Sequence, residues 1–240
     1  MAGDEDRVGL VSRLLADPPV VHAMDFSDDP ALGVWLSDRD CYEFLARQTR
    51  PGSRTLETGS GISTILLGAV GATHTCVTPS QEEADRILEY CRDREIGTDS
   101  ITFAIGHSER VLPTLPVTEL DLVFIDGCHG FPAPILDWYY GAGRLRKGGH
   151  VVVDDLQLAP VQRLVSFLDV DPRWLPVART EKWAAWRRDS EGSLSEEWVF
   201  QTFLATPTSK RRGDPPWRRM ASLPRKLLSR ARRRSDLPLR

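Results

Sequence analysis

The chain has 240 residues, 41% hydrophobic and 27% charged, which is enough for one buried core without metal or disulfide staples and too little for two complete domains. No apolar run approaches the roughly 18 residues of a membrane span, and Met1 to Arg7 is polar and acidic, so a cytoplasmic protein is expected. The net charge of -3 divides unevenly: residues 205–240 hold 12 Lys and Arg against Asp214 and Asp236, while residues 1–204 hold 19 against 32 Asp and Glu. Cys41, Cys76, Cys91 and Cys128 lie far apart with no Cys-x-x-Cys pair, so they read as reduced thiols and not as a zinc knuckle.

In chain order, residues 5–16 and 38–48 carry apolar residues at helical spacing (Val8, Val11, Leu14; then Cys41, Phe44, Leu45), with Ser37 placed to cap the second. Both helices are expected to cover one edge of a sheet. From residue 54 short apolar strands alternate with amphipathic helices, the rhythm of parallel strands joined by right-handed crossovers. Apolar, β-branched runs between Gly, Pro and Asp place strands at 54–58, 73–78, 101–105, 120–126 and 149–154. The helix over 80–95 opens with Ser80 and Glu83 as a capping box and shows Ala84, Ile87, Leu88 and Cys91 on one face. After a helix near 159–168, Trp183–Trp186 and Trp198–Leu204 read as two late strands, an antiparallel hairpin at one sheet edge.

Thr55-Leu56-Glu57-Thr58-Gly59-Ser60-Gly61-Ile62-Ser63-Thr64 runs from a strand into a helix. Glycines there let the backbone turn sharply and let a ligand approach the helix N-terminus. Glu57 is expected at the mouth of this turn, where it would repel a dinucleotide pyrophosphate and attract the ammonium and sulfonium cations of S-adenosylmethionine. Thr64 stands where the dinucleotide fingerprint needs its third glycine.

Asp121-Leu122-Val123-Phe124-Ile125-Asp126-Gly127-Cys128-His129 forms a second signal, with Gly148-Gly149 leading to Val151-Val152-Val153-Asp154-Asp155. If these are neighbouring parallel strands, about 4.8 Å apart, Asp126, Asp154 and Asp155 converge beside the glycine turn. Clustered carboxylates need a cation or a proton between them, and Mg²⁺ suits such oxygen donors; a solvated strand end or helix cap is the other reading of the Asp pair. His129 is close enough to Asp126 to act as general base. Phe131 to Pro134 with Trp138, Tyr139 and Tyr140 could wall an acceptor or pack a helix on the sheet. His22, His74 and His150 carry no partner pattern.

Together the Glu57-x-Gly59-x-Gly61 turn, Ile125-Asp126-Gly127-x-His129 and Gly148-Gly149 before Asp154-Asp155 resemble class I S-adenosylmethionine-dependent methyltransferases. More narrowly they resemble the Mg²⁺-dependent O-methyltransferases of catechol and macrolide-sugar type, over about residues 33–204. The resemblance implies a doubly wound, mostly parallel seven-stranded α/β sheet of the Rossmann-like methyltransferase kind. It implies a helical cover over 1–50, a cofactor-binding domain over 51–204 and a basic tail over 205–240. It implies cofactor contacts from Glu57, Gly59, Ser60, Gly61, Ser63, Thr78, His107, Ser108 and Asp126, catalysis by His129 and Asp126, and Mg²⁺ on Asp126, Asp154 and Asp155. The chain departs from the pattern at Thr78-Pro79, where relatives carry an acid for the ribose, with acids here only at Glu82 and Glu83. It departs again at Gly106-His107-Ser108, where many have Gly-Asp-Ser.

The expected reaction is O-methylation of a small-molecule or sugar hydroxyl. A nicotinamide oxidoreductase on the related fold and a non-catalytic nucleic-acid-associated module remain the alternatives. Gly127-Cys128-His129 replaces the Pro-Pro-Tyr type motif of nucleobase methyltransferases, so no specific nucleic acid is expected. Lys210-Arg211-Arg212 and Arg232-Arg233-Arg234, among Trp217, Leu223 and Leu227, could rest weakly on an anionic membrane. An oligomer is open.

Overall fold

The computed structural model describes residues 4–22, 29–116, 118–191 and 201–205. Met1–Leu194 form one compact unit and Ser195–Arg240 a second. The first unit carries a seven-stranded sheet in the order β3-β2-β1-β4-β5-β7-β6. Its strands are β1 Arg54–Thr58, β2 Thr73–Thr78, β3 Ile101–Ile105, β4 Leu120–Ile125, β5 Leu145–Val153, β6 Trp174–Arg179 and β7 Ala184–Arg188. The first five run parallel, and β7 is antiparallel to both β5 and β6.

Helices α1 Asp4–Ala16, α2 Arg39–Gln48, α3 Ile62–Ala69, α4 Gln81–Asp93, α5 Ser108–Val111, α6 Ala133–Asp137 and α7 Ala159–Leu168 cover the sheet. Strand alternation divides the core into two layers. Leu122, Phe124, Val152 and Ala185 meet α1, α2, α3 and α4 on one face, while Leu56, Val123, Val151, Val153 and Trp186 face the other, with α7. The N-terminal helices therefore cover a face of the sheet, through Val11, Leu14, Cys41 and Leu45, and not its edge.

Three local expectations are corrected. Ser37 does not cap α2: the N-cap is Asp38, and the Ser37 amide instead donates to the Tyr42 hydroxyl at 2.9 Å. Ser80 does cap α4, accepting from the Glu83 amide at 3.2 Å, but the Glu83 side chain turns to Ser60, Thr78 and His22 and completes no capping box. The edge hairpin exists, yet it pairs β7 with β6. Residues 198–200 of the expected last strand lie outside the described residues, and Thr202–Ala205 form a 3-10 turn. The tail over 206–240 also lies outside them. Among the described residues no helix is long and apolar enough to cross a membrane.

Candidate active site

Register brings the site together. Thr58 pairs with Ile125 and Ile125 with Val153, so Gly59, Asp126 and Asp154 each stand one residue past adjacent strand ends. The Asp126 amide donates to Thr58 O and the Asp154 amide to Ile125 O, both at 3.1 Å. Gly59 has φ of +93°, and a Cβ there would lie 2.2 Å from the Asp126 carbonyl oxygen. Only glycine fits such a turn, where backbone blocks the side chain's space and φ is left-handed.

Glu57 does not sit at the mouth of this turn. It is 1% exposed, because the two-residue period of β1 points it away from the cleft side taken by Thr58. Its Oε1 accepts from the Thr64 hydroxyl and lies 3.4 Å from His74 Nε2. The Thr64 hydroxyl also accepts from the Gly61 amide at 3.1 Å. Thr64, in the place of a third glycine, thus ties the buried carboxylate to the turn above it.

A cleft of about 830 Å³ opens over these strand ends. Its lining includes the expected Gly59, Ser60, Gly61, Ser63, His107, Ser108, Asp126, His129, Asp154 and Asp155. Thr78 lies behind the lining, fully buried, where its hydroxyl meets Ser60 at 3.1 Å and donates to Glu83. Glu83 itself faces the cleft and accepts from Ser60 Oγ and His22 Nδ1, each at 3.1 Å. Burial works to raise its carboxyl pKa, but hydrogen bonds from His22, Thr78 and Ser60 outweigh this and hold it below the usual carboxylate value. His22 stacks on Trp35 with ring centroids 4.1 Å apart, and Trp35 is 61% exposed at the cleft. Sequence reasoning gave His22 no role, since its partners are 13 and 61 residues away.

At the other end, His129 Nε2 lies 2.9 Å from Asp155 Oδ2 and 3.9 Å from Asp126 Oδ1. Asp155 holds a left-handed φ of +57°, a conformation that Asp tolerates and that turns the chain at the end of β5. Lys182, which no motif flagged, donates from Nζ to Asp155 Oδ1 at 2.6 Å and lies 3.6 Å from Asp154 Oδ2. The hydrogen bond from His129, together with that from Lys182, overcomes burial and holds the Asp155 carboxyl well below the usual range. Burial, with the charges of Asp154, Asp155 and Glu57, pushes the Asp126 carboxyl well up, and burial raises Asp154 against the pull of Lys182. Burial disfavours the Lys182 ammonium, but Asp155, Asp154 and Asp126 outweigh it and raise its pKa.

Asp126, His129 and Asp155 each place one donor atom within 4.8 Å of the others. This set differs from the expected Asp126, Asp154 and Asp155, because Asp154 is 2% exposed and turned inward beneath Lys182. Phe131, 72% exposed, lines the cleft, whereas Trp138 packs into the core against Phe167 and Trp174, and Tyr139 is exposed elsewhere. Under the cleft floor lies a further acid, Asp137 at the end of α6, 1% exposed. Burial pushes its carboxyl up to about 6, with the nearby Ser108 and Thr58 hydroxyls offsetting part of that cost.

Residues 56–156 match the family model described as a methyltransferase domain. The SAH-bound methyltransferase PaMTH1 of Podospora anserina aligns at 18% identity and a TM-score of 0.52, over 77% of this chain and 88% of that one. The O-methyltransferase TomG of Streptomyces achromogenes, solved with SAM, aligns at 16% and 0.52, over 65% and 82%. At such identities the likeness shows a shared fold. No curated protein matches the sequence significantly.

Proposed function

We propose that this chain, whose residues 56–156 match the methyltransferase-domain model, is a class I S-adenosylmethionine-dependent enzyme that methylates a hydroxyl oxygen of a small acceptor, with His129 taking the proton. The observation that carries this reading is the 2.9 Å contact between His129 Nε2 and Asp155 Oδ2 at the cleft. An ionised Asp155 accepts the Nε2 proton, and this leaves Nδ1 as the basic nitrogen. The acceptor oxygen attacks the methyl carbon, the carbon–sulfur bond breaks, S-adenosylhomocysteine leaves and the hydroxyl proton passes to His129 Nδ1. The O-methyltransferase name of TomG agrees with an oxygen acceptor.

The residues also fit the cofactor. The glycine turn at the start of α3 gives its backbone amides a close approach, and Glu83 would accept from the ribose hydroxyls that Thr78 cannot bind as an acid would. Trp35, Leu36 and Phe131 at the cleft give the acceptor an apolar wall. A divalent ion is the other device that could lower the acceptor's pKa. The donor set does not fit it well, because Asp155 already accepts from His129, Lys182 and Gln157, and no step here runs through a metal.

A panel of phenol, catechol and sugar acceptors, read by S-adenosylhomocysteine release, tests the reaction. His129→Gln should lower kcat by about 10²- to 10⁴-fold while binding S-adenosylhomocysteine as the native chain does. Unchanged turnover in that variant, or transfer only to nitrogen or sulfur acceptors, would overturn the reading.

A further inference from the structure

We infer that Lys182 is the resident cation of the acid cluster, standing where a divalent ion would otherwise neutralise Asp154 and Asp155, so that the native chain holds no divalent metal there. The β5–β7 register places it. Val153 pairs with Ala184, and continuing the antiparallel ladder sets Lys182 opposite Asp155. Past the ladder the two chains stay joined with a one-residue slip, the Leu156 amide donating to Lys182 O at 2.8 Å. The lysine is fixed from its other side too. Thr180 Oγ1 accepts from the Lys182 and Trp183 amides, both at 3.1 Å, and Trp183 Nε1 donates to Asp40 at 2.8 Å. An ordinary surface lysine swings freely on its stem; this one is held by its backbone against the strand that carries its partners.

The donor chemistry points the same way. Asp155 Oδ1 accepts from Lys182 Nζ and from Gln157 Nε2 at 2.8 Å, and Oδ2 lies 2.9 Å from His129. A hard dication needs several free oxygens in its first shell. Here it would have to break the Lys182 and His129 contacts and then sit beside an ammonium whose charge repels it. The consequence for catalysis rests on the O-methylation reading: Lys182 Nζ holds Asp155 Oδ1 at 2.6 Å while Asp155 Oδ2 meets His129 at 2.9 Å, and Lys182 is thereby a positioning residue. The statement about metal occupancy does not depend on the reaction.

Binding of Mn²⁺ alone, followed by electron paramagnetic resonance and calorimetry on the full chain, tests the inference. The native protein should show no saturable Mn²⁺ binding up to about 1 mM, the weak end of protein sites for such cations. Lys182→Met should gain binding by about tenfold or more, since it removes the repelling charge and frees a carboxylate oxygen. Lys182→Gln, which keeps a donor without the charge, serves if the methionine variant does not fold. Micromolar Mn²⁺ binding by the native chain that Asp155→Asn abolishes would overturn the inference, as would no gain in a folded Lys182 variant. S-adenosylhomocysteine titration of the same samples separates the two proposals, because its failure would strike the methyltransfer reading and leave the metal result standing.

Discussion

Replacing Asp137 with asparagine should make the fold more stable above neutral pH and leave it nearly unchanged in acid. The carboxyl has an ordinary value of 3.8 and is pushed up to about 6 on folding, since it is 1% exposed and neither oxygen is paired in hydrogen-bond geometry. Between those two values the folded protein binds a proton that the unfolded chain has released, so stability falls as pH rises through the window and stays low above it. The distance from 3.8 to about 6, at 1.36 kcal/mol for each pH unit, amounts to about 3 kcal/mol. The side-chain amide of the Asp137→Asn variant carries no charge and has nearly the shape of the protonated acid, so it removes this loss. Thermal unfolding of both proteins from about pH 4 to pH 8 should show midpoints that nearly coincide in acid and diverge by roughly 6 to 12 °C at the alkaline end, the shift expected for a domain of this size. Parallel profiles, with a difference that does not change with pH, would refute the argument that the cost of burying this charge exceeds what its neighbours return.

Two further substitutions probe the cofactor end. Gly59→Ala should abolish S-adenosylhomocysteine binding and lower the unfolding midpoint, because its Cβ would meet backbone at 2.2 Å. Gly52→Ala, at φ of +82° with nothing within 4 Å, should cost only the left-handed strain of about 1–2 kcal/mol; equal losses in the two variants, measured by calorimetry and thermal unfolding, would show that the close approach to Asp126 is unimportant. Glu83→Gln should weaken S-adenosylhomocysteine by about tenfold or more, the loss expected when a charged acceptor of hydrogen bonds becomes neutral. Unchanged affinity would remove Glu83 from the ribose side.

The strands of the parallel half were legible because each is a short apolar run closed by Gly, Pro or Asp, and β1, β2 and β3 begin and end where that pattern does. The edge was not. Trp174–Arg179 contains Pro176, which reads as a strand breaker, yet β6 is the last strand in the sheet order, and an edge strand has one side on which a missing amide costs nothing. β5 begins at Leu145, four residues before the expected start, because Leu145 pairs with Leu120 ahead of an irregularity that leaves residues 146–149, with both glycines, out of the ladder before His150 pairs with Leu122.

The site was legible wherever a residue follows a strand end, since parallel register alone then carries Asp126 and Asp154 to the same edge as Gly59. It was illegible where a side chain reaches across from an element with a different local duty. Ser80-x-x-Glu83 is a helix-start signature, and its first half holds; but the Glu83 carboxylate leaves the cap for Ser60, Thr78 and His22. A carboxylate that gives up its own helix amide for three donors on the cleft wall is worth more to the cleft than to the helix. Thr78 ends β2 without an acid, and a carboxylate reaches the same place from α4, five residues later. Lys182 follows the same logic at the other end. Nothing in Arg179-Thr180-Glu181-Lys182 marks a site, and only the antiparallel return of β7 beside β5 sets that ammonium against Asp155. The cleft thus receives one anion and one cation, Glu83 and Lys182, from segments whose sequence speaks only of a helix cap and a tight turn.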